Sequence, residues 1–562
     1  MSKTKHSDAY YLQMALAEAK KGRYTTSPNP AVGCVIVRNH EILGVGYHHC
    51  AGQPHAEVMA LQAANYEVEG ATCYVTLEPC SHYGRTPPCA QALIDAKVKK
   101  VVIGSTDPNP KVAGKGIKML LDAHIDVIKA TGKLNKECLK LNRAFFKSIT
   151  TNHPYTILKY GMSLDGKVAL STNESKWITN EAARRDVQRL RLWSDAIITS
   201  YKTVQADNPK LNVRLEDVPS KLLEGVDTTL IKQPLKVIVD SRASLLPNRQ
   251  LSDLERYGLF SMGENYIVVG CNELSESQAT GKKKSSKKAT TALDPLSLAL
   301  ASACACGSCQ ASALAPSTCL EANVTAKTAP KSKSSRAPKA LATKDATTKF
   351  AAAKATLVGN EAQGQDKSKV VSKSTSSVKA KAPAKETKAK AAPKRVTKSA
   401  AVKQLANKKA PEVMVSVAPD MVSSWHIDES KVVARGKNFV VEKWSERVFI
   451  VAVPFALGSD NKLHASVSAV LDFLGSKDIR VAMVEAGSNL GSAFLENGLI
   501  DECYCYMSPM ILGLEAKSAF AIHEPKKLVN AVQFKKTKVK TFENNICMIL
   551  SKPQLSKAKK SS

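Results

Sequence analysis

Three short segments near the start of the chain, Pro54-His55-Ala56-Glu57, Glu78-Pro79-Cys80 and Pro87-Pro88-Cys89, limit the possible folds more than any other feature. One imidazole and two thiolates make three ligands for a tetrahedral zinc ion and leave its fourth position to water, which is the composition of a catalytic site and not of a structural one. The fold must therefore bring His55, at the start of a helical pattern, to a point shared with Cys80, after a strand-like run, and Cys89, before a second helical run. Each residue taken singly reads as an ordinary core group. Together, with a proline before both cysteines, they read as a metal site.

Glu57 lies in the same first helical turn as His55 and is read as the acid/base, not as a fourth ligand. His-x-Glu followed by Pro-Cys is the pattern of zinc deaminases, in which activated water attacks a ring carbon bearing an exocyclic amine and the glutamate carries protons to the ring nitrogen and the departing ammonia. That pattern has two residues between its cysteines, whereas Ser81 to Pro88 intervene here. The longer loop is expected to meet a substrate larger than a bare base.

The texture around this constellation is α/β. Val32–Val37, Thr72–Leu77 and Val101–Ile103 read as strands and Ala56–Ala64 and Ala90–Ala96 as helices, after an amphipathic helix within Met1–Lys21. A second α/β region begins near His153, with strands at Tyr155–Tyr160, Ala196–Thr199, Leu235–Val239 and Tyr266–Val269 and a helix over Glu181–Leu192. Order returns at Val440–Val453, and Val481–Glu485 feeds a helix over Gly487–Gly498 through a glycine-rich turn. A chain of 562 residues is too long for one core, and the division expected is a zinc-dependent domain over 1–151, a second domain over 152–272 and 436–554, and an insertion over 273–435.

Charge supports that division. Of the net +31, most sits between Gly281 and Ala410, where about 27 Lys/Arg face about 6 Asp/Glu. The insertion is Ala, Lys, Ser, Thr and Pro with almost no aromatics, a composition expected to stay mostly disordered, with one Ala/Leu-rich stretch, Leu296–Leu314, able to form a short helix. Its charge would attract nucleic acid without sequence preference, but without aromatics for stacking it reads first as a solvated tether. Cys304, Cys306, Cys309 and Cys319 have no histidine nearby and are not read as a second metal site. No apolar run is long enough for a membrane span, the first residues are not a signal peptide, and the 14 cysteines fit a reducing, cytoplasmic compartment.

Longer motifs carry a resemblance. Thr25-Thr26-Ser27-Pro28-Asn29-Pro30-Ala31-Val32-Gly33-Cys34, Gly46-Tyr47-His48, Thr76-Leu77-Glu78-Pro79-Cys80-Ser81-His82, Gly84-Arg85-Thr86-Pro87-Pro88-Cys89 and Asp107-Pro108-Asn109-Pro110, then Ser163-Leu164-Asp165-Gly166-Lys167, Trp177-Ile178-Thr179, Ala183-Arg184-Arg185-Asp186, Asp207-Asn208-Pro209 and Val484-Glu485-Ala486-Gly487, resemble the bifunctional riboflavin-biosynthesis deaminase/reductases over all but the insertion. The resemblance implies a cytidine-deaminase-like three-layer domain followed by a dihydrofolate-reductase-like domain. It also implies deamination of a diaminopyrimidinone phosphoribosylamine and NADPH-dependent reduction of its ribose to ribityl. By the same resemblance Asn29 and the loop at His82 line the deaminase pocket. Lys159, Ser175, Arg191, Leu211, Arg214 and Glu485 meet the reductase substrate, and Gly161, Trp177, Thr203, Asp207, Ser241 and the turn Gly487, Ser488, Asn489, Leu490, Gly491, Ser492 and Ala493 meet NADPH. Lys159 and Asp207 are placed nearest the reacting sugar carbon. Arg191 and Arg214 are forks suited to a phosphate, and the Gly487 turn offers amides to a cofactor phosphate.

The expected cofactors are Zn2+ and NADPH, and the expected partner is a small molecule met by a homo-oligomer. Two rival readings remain at this point: a base-editing protein that holds RNA with its basic stretch, and a scaffold with an inactive second domain.

Overall fold

A computed structural model of the chain describes residues 6–83, 87–109, 113–274, 424–458, 460–525, 527–528 and 531–552. The expectations for 275–423, including the short helix and the four cysteines there, lie outside the described residues.

The first domain is a five-stranded sheet with helices on both faces. In chain order it holds α1 (Asp8–Lys21), β1 (Gly33–Arg38), β2 (Glu41–Tyr47), α2 (Ala56–Ala63), β3 (Thr72–Val75), α3 (Cys89–Asp95), β4 (Lys100–Ile103), α4 (Lys115–Asp122), β5 (Asp126–Lys129), α5 (Gly132–Leu141) and α6 (Arg143–Thr151). The strand order is β2-β1-β3-β4-β5, antiparallel where β1 meets β2 and β3 and parallel from β3 to β5. Helix α1 begins where the Ser7 side chain accepts from Tyr10 N, with Asp8 in its first turn and Lys20 and Lys21 in its last, so its ends match its dipole. Its apolar stripe, Tyr11, Leu12, Ala15, Leu16 and Ala19, is buried. The opposite face of the sheet carries a core of Ile36, Ala60, Leu61, Val75, Leu93, Ile103 and Leu120. Helix α2 sits directly on β2 at Gly46, where any Cβ would lie 2.5 Å from Ala60 N and 2.6 Å from Ala56 O. Only glycine admits that approach, which fixes the helix whose start carries His55 and Glu57.

The second domain contributes β6 (Tyr155–Met162), β7 (Lys167–Ala169), α7 (Glu181–Trp193), β8 (Ala196–Ser200), α8 (Tyr201–Asp207), β9 (Leu235–Val239), β10 (Asn265–Gly270), β11 (Val432–Gly436), β12 (Phe439–Lys443), β13 (Val448–Val453), β14 (Phe455–Leu457), β15 (Leu463–Ala465), α9 (Val467–Ser476), β16 (Val481–Val484), α10 (Ser488–Glu496), β17 (Glu502–Met507), β18 (Lys517–Ser518), β19 (Lys535–Phe542) and β20 (Asn545–Ser551). Its main sheet runs β11-β12-β13-β10-β9-β8-β16-β6-β17-β20-β19. The central strands from β13 through β17 pair in parallel. They read as continuous apolar runs because both faces are covered: Tyr266, Phe473, Val484 and Phe494 on one, Ile238, Leu245, Ile267 and Ile450 on part of the other.

The return from the insertion comes earlier than the sequence suggested. Residues 424–435, assigned to the insertion, join the second domain: Trp425 is 3% exposed in the core, and β11 pairs with β12. The buried carboxylate of Glu442 explains the anchorage, accepting from Trp425 Nε1 at 3.0 Å, Asp428 N at 2.9 Å and Trp444 Nε1 at 2.9 Å. A buried carboxylate that satisfies three donors locks such a segment in place. The single Trp, placed after a long Lys/Ala stretch, was the available signal.

Candidate active sites

The first site forms where three loops meet at the end of the small sheet. His55 immediately precedes α2, Cys89 is the first residue of α3, and Cys80 follows the extended segment beyond β3. Their ligand atoms lie within 4.8 Å of one another. His55 Nδ1 is 3.2 Å from Cys89 Sγ and 3.6 Å from Cys80 Sγ. A tetrahedral zinc with Zn–N and Zn–S bonds of ordinary length sets N···S separations of about 3.5 Å, so the donor set fits the ion in chemistry and in spacing. Cys80 Sγ also accepts from Cys89 N at 3.2 Å. Hydrogen bonds from Cys89 and His55 hold the Cys80 thiol down at about 4, as befits a thiolate ligand.

Glu57 is 3% exposed, and burial pushes its carboxyl up to about 7 against the pull of His55. A carboxyl poised near neutrality can both take and give a proton. Asn29 stands on the loop before β1, with its Nδ2 3.0 Å from His48 Nε2. His48 Nδ1 is 3.0 Å from Pro54 O, and burial lowers the imidazole to about 4. The ring is therefore neutral, donating from Nδ1 to the carbonyl and accepting from Asn29 at Nε2. No role was assigned to His48 from sequence, although it closes the Gly46-Tyr47-His48 motif. His82 is exposed, close enough to Asp107 to act on its charge; the next loop residues, 84–86, lie outside the described set.

Glu78 fixes the approach to Cys80. Its Oε2 accepts from Asp107 N at 3.2 Å and its Oε1 from Ile117 N at 3.4 Å, which ties the Pro79-Cys80 turn to the loop after β4 and to α4.

The second site is a cleft of about 1800 Å³ along the carboxyl ends of the parallel strands, where ligands of open α/β sheets bind. It brings together Lys159, Gly161, Ser175, Trp177, Arg191, Thr203, Asp207, Leu211, Ser241, Glu485, Gly487, Ser488, Asn489, Leu490 and Ala493. Three expected residues fall elsewhere. Gly491 turns inward, where a Cβ would sit 2.1 Å from Tyr160 Oη, and its amide is bonded to Gly487 O. Ser492 is 1% exposed and accepts from Ala521 N. Both lie inside α10 and pack away from the cleft, whereas Gly487, the extended residue before the helix, and Ala493 line it. Arg214 lies outside the lining and is held by Asp217 at 2.6 Å.

At the cleft's centre Glu485 takes a bidentate contact from Arg191, Nε to Oε2 and Nη2 to Oε1 at 3.1 Å each, and a 3.4 Å contact from Lys159 Nζ. Burial alone would raise its carboxyl, but the Arg191 and Lys159 charges hold it down at about 2. The third Arg191 nitrogen donates to Asn212 O at 3.0 Å. The fork read as a phosphate ligand is thus already filled by a carboxylate, and Arg191 orients Glu485 instead. Gly487 caps α10 with its Cα open to the cleft, leaving the first amides of the helix unobstructed. These features fit a dinucleotide phosphate.

Comparison with known proteins agrees with both halves. The model of the cytidine and deoxycytidylate deaminase zinc-binding region matches residues 5–105, and that of the RibD C-terminal domain matches 154–295 and 324–548. The chain is 50% identical over 244 residues to the riboflavin biosynthesis protein RibD of Haemophilus influenzae and 50% identical over 240 residues to that of Escherichia coli, covering 43% of this chain and 65% of the relative in each case. The matched stretch thus spans just under two thirds of those relatives. The solved structure of Acinetobacter baumannii RibD, form 1, superposes with a TM-score of 0.58 at 28% identity, covering 97% of this chain and 99% of that one. A deaminase/reductase from Thermotoga maritima shares the fold, with a TM-score of 0.56 at 21% identity. The expected fold class, a cytidine-deaminase-like domain followed by a dihydrofolate-reductase-like one, stands. Among the described residues no helix is long and apolar enough to cross a membrane. With a zinc-binding deaminase region at its start and the RibD C-terminal domain over most of the rest, the chain belongs to the RibD family.

Proposed function

We propose that this chain carries out two consecutive steps of riboflavin biosynthesis: hydrolytic deamination of 2,5-diamino-6-(5-phosphoribosylamino)pyrimidin-4(3H)-one in the domain over 1–151, then NADPH-dependent reduction of the ribosyl group to ribityl in the domain that starts at 152 and resumes at Ser424. The observation that carries the reading is the convergence of His55, Cys80 and Cys89 on one point beside the buried carboxyl of Glu57. When bound there, zinc supplies an activated water, and NADPH in the second cleft supplies a hydride. The chain's own residues do the remaining work. Glu57 holds and moves the protons destined for the ring nitrogen and the leaving amine. Asn29, its amide oriented by His48, meets the base, and the loop at His82 meets the ribosyl phosphate.

In the second domain Lys159 places an ammonium beside the sugar, held by Glu485, while Asp207, Ser175 and Leu211 shape the pocket around it. Gly161, Trp177, Thr203, Ser241 and the Gly487 turn would hold the cofactor. A cytoplasmic homo-oligomer is part of the same reading, and the basic stretch serves first as a solvated tether, nucleic-acid contact not being its main role.

The test is a coupled assay on the phosphoribosylaminopyrimidine, following ammonia release and NADPH oxidation separately. Ammonia should appear first and NADPH oxidation should depend on it. Ammonia from an RNA substrate alone, or NADPH left unoxidised while ammonia is released, would overturn one half or the other.

A further inference from the structure

The loop that carries Asn29 is gripped by the second domain. Arg480, at the head of β16 and with only 14% of its side chain exposed, donates from Nε to Pro28 O at 2.8 Å and from Nη1 to Ser148 Oγ at 2.9 Å. Its own backbone amide and that of Val481 are held by Asp195 Oδ2, both at 2.9 Å, and the Asp195 carboxylate also bonds the Ser27 side chain. Two consecutive residues of the first domain, Ser27 and Pro28, are therefore fixed by two charged residues of the second. On the other side Asn142 clamps Ala31 through its N–H and its carbonyl, each at 2.9 Å. Between these clamps sits Asn29, bonded to His48, which is bonded to the carbonyl of Pro54, the residue before His55.

We infer that Arg480 and Asp195 are positioning residues of the deaminase site: the second domain sets where Asn29 stands, so that substrate affinity in the first domain depends on a strand of the second. The inference rests on the proposed deaminase reading and deepens it. Arg480 touches neither the metal ligands nor Glu57, so it acts on binding and not on proton transfer. A charged hydrogen bond to a loop carbonyl is among the stronger single contacts a loop can have. The opposite end of the same four-residue strand leads into Glu485 in the reductase cleft. One rigid element thus supports a binding residue in each site.

The experiment uses the full chain with Arg480→Ala, Arg480→Lys and Ser27→Ala, each measured for ammonia release, for NADPH oxidation on the already deaminated substrate, and for zinc content. Arg480→Ala should raise the deaminase KM about tenfold, the size carried by loss of a charged hydrogen bond, with kcat within about twofold, one zinc per chain retained and reductase kinetics unchanged. Arg480→Lys should restore part of the loss, and Ser27→Ala, a milder cut at the same clamp, should raise KM less. Adding Arg480→Ala to an Asn29→Ala chain should raise KM no further, because both changes remove the same contact. A lowered melting temperature with unchanged KM, a fall in both activities together, or additive effects with Asn29→Ala would overturn the inference. If the unaltered chain released no ammonia from the substrate, the deaminase reading itself would fail, which is a separate outcome.

Discussion

The two sites differ in how the chain builds them. In the first domain, His55, Cys80 and Cys89 come from neighbouring loops, and the residues before and after each of them already state the local structure: Gly46 under α2, a proline ahead of both cysteines, a helix start at Cys89. In the second, Lys159 and Glu485 meet although they are 326 residues apart, and Arg191 reaches them from a helix. A short-range site announces its chemistry through spacing, whereas a long-range site depends on parallel strand order, which no local motif encodes. The two should accordingly fail separately.

The largest effect is expected at the ligands. Cys89→Ala or Cys80→Ala leaves two donors, too few to hold zinc against solvent. Deaminase activity should fall to background with zinc lost from the chain, measured by metal analysis, while NADPH oxidation on deaminated substrate persists. If both activities vanished together, the two sites would not be independent. Glu57→Gln comes next: it keeps the shape and removes the proton carrier, so ammonia release should drop by about 10²–10⁴-fold with zinc retained. That split between metal content and rate separates Glu57 from the three ligands.

What the sequence disclosed follows the same division. The cluster of His55, Cys80 and Cys89, its neighbour Glu57 and the strands β1, β3 and β4 were readable because apolar period and motif spacing coincide there, whereas β2, with two glycines and an exposed start, was not read as a strand. His48 was visible as a motif residue but not as the partner of Asn29, since a hydrogen bond across a loop leaves no period. Arg191 looked like a phosphate fork because an arginine on a helix does not show what it faces; only the fold reveals that Glu485 occupies it. Gly491 and Ser492 were grouped with Gly487 as one turn, but the helix begins at Ser488, so Gly487 stays outside it as an open cap while the other two pack inward. Trp425 and Ile427 were read with the Lys/Ala stretch because composition averaged over a long window hides a short apolar return.

At the third level, Glu485→Gln tests the carboxylate that the second site is built around. Removing one member of a buried ion pair costs about 3–5 kcal/mol, so the melting temperature and the reductase rate should both fall at neutral pH, with zinc content intact. The pH dependence has a definite sign. The Glu485 carboxyl is held at about 2, below its ordinary 4.5, so its stabilisation is fully present above 4.5 and is lost as the pH falls toward 2. The unaltered chain should therefore lose its advantage over Glu485→Gln across that interval in acid unfolding experiments, and a gap that stayed constant with pH would remove Glu485 from the centre of the cleft.

The smallest effect divides two glycines at the start of α10, one before the helix and one inside it. Gly491 packs against Tyr160, and a methyl there meets the hydroxyl at 2.1 Å, so Gly491→Ala should cost about 1–3 kcal/mol of stability through overpacking. Gly487 has φ −67° and nothing within 4 Å of an added Cβ, so Gly487→Ala should leave stability within about 0.5 kcal/mol. Its methyl projects into the cleft at the start of α10, where a phosphate would need the bare backbone, and the NADPH KM should rise while kcat and the deaminase stay unchanged. Gly491→Ala should do the reverse, lowering the melting temperature with little change in NADPH KM. Were both substitutions to alter only stability, the Gly487 turn would be packing and not a cofactor cradle, and the second site would rest on Lys159, Arg191 and Glu485 alone.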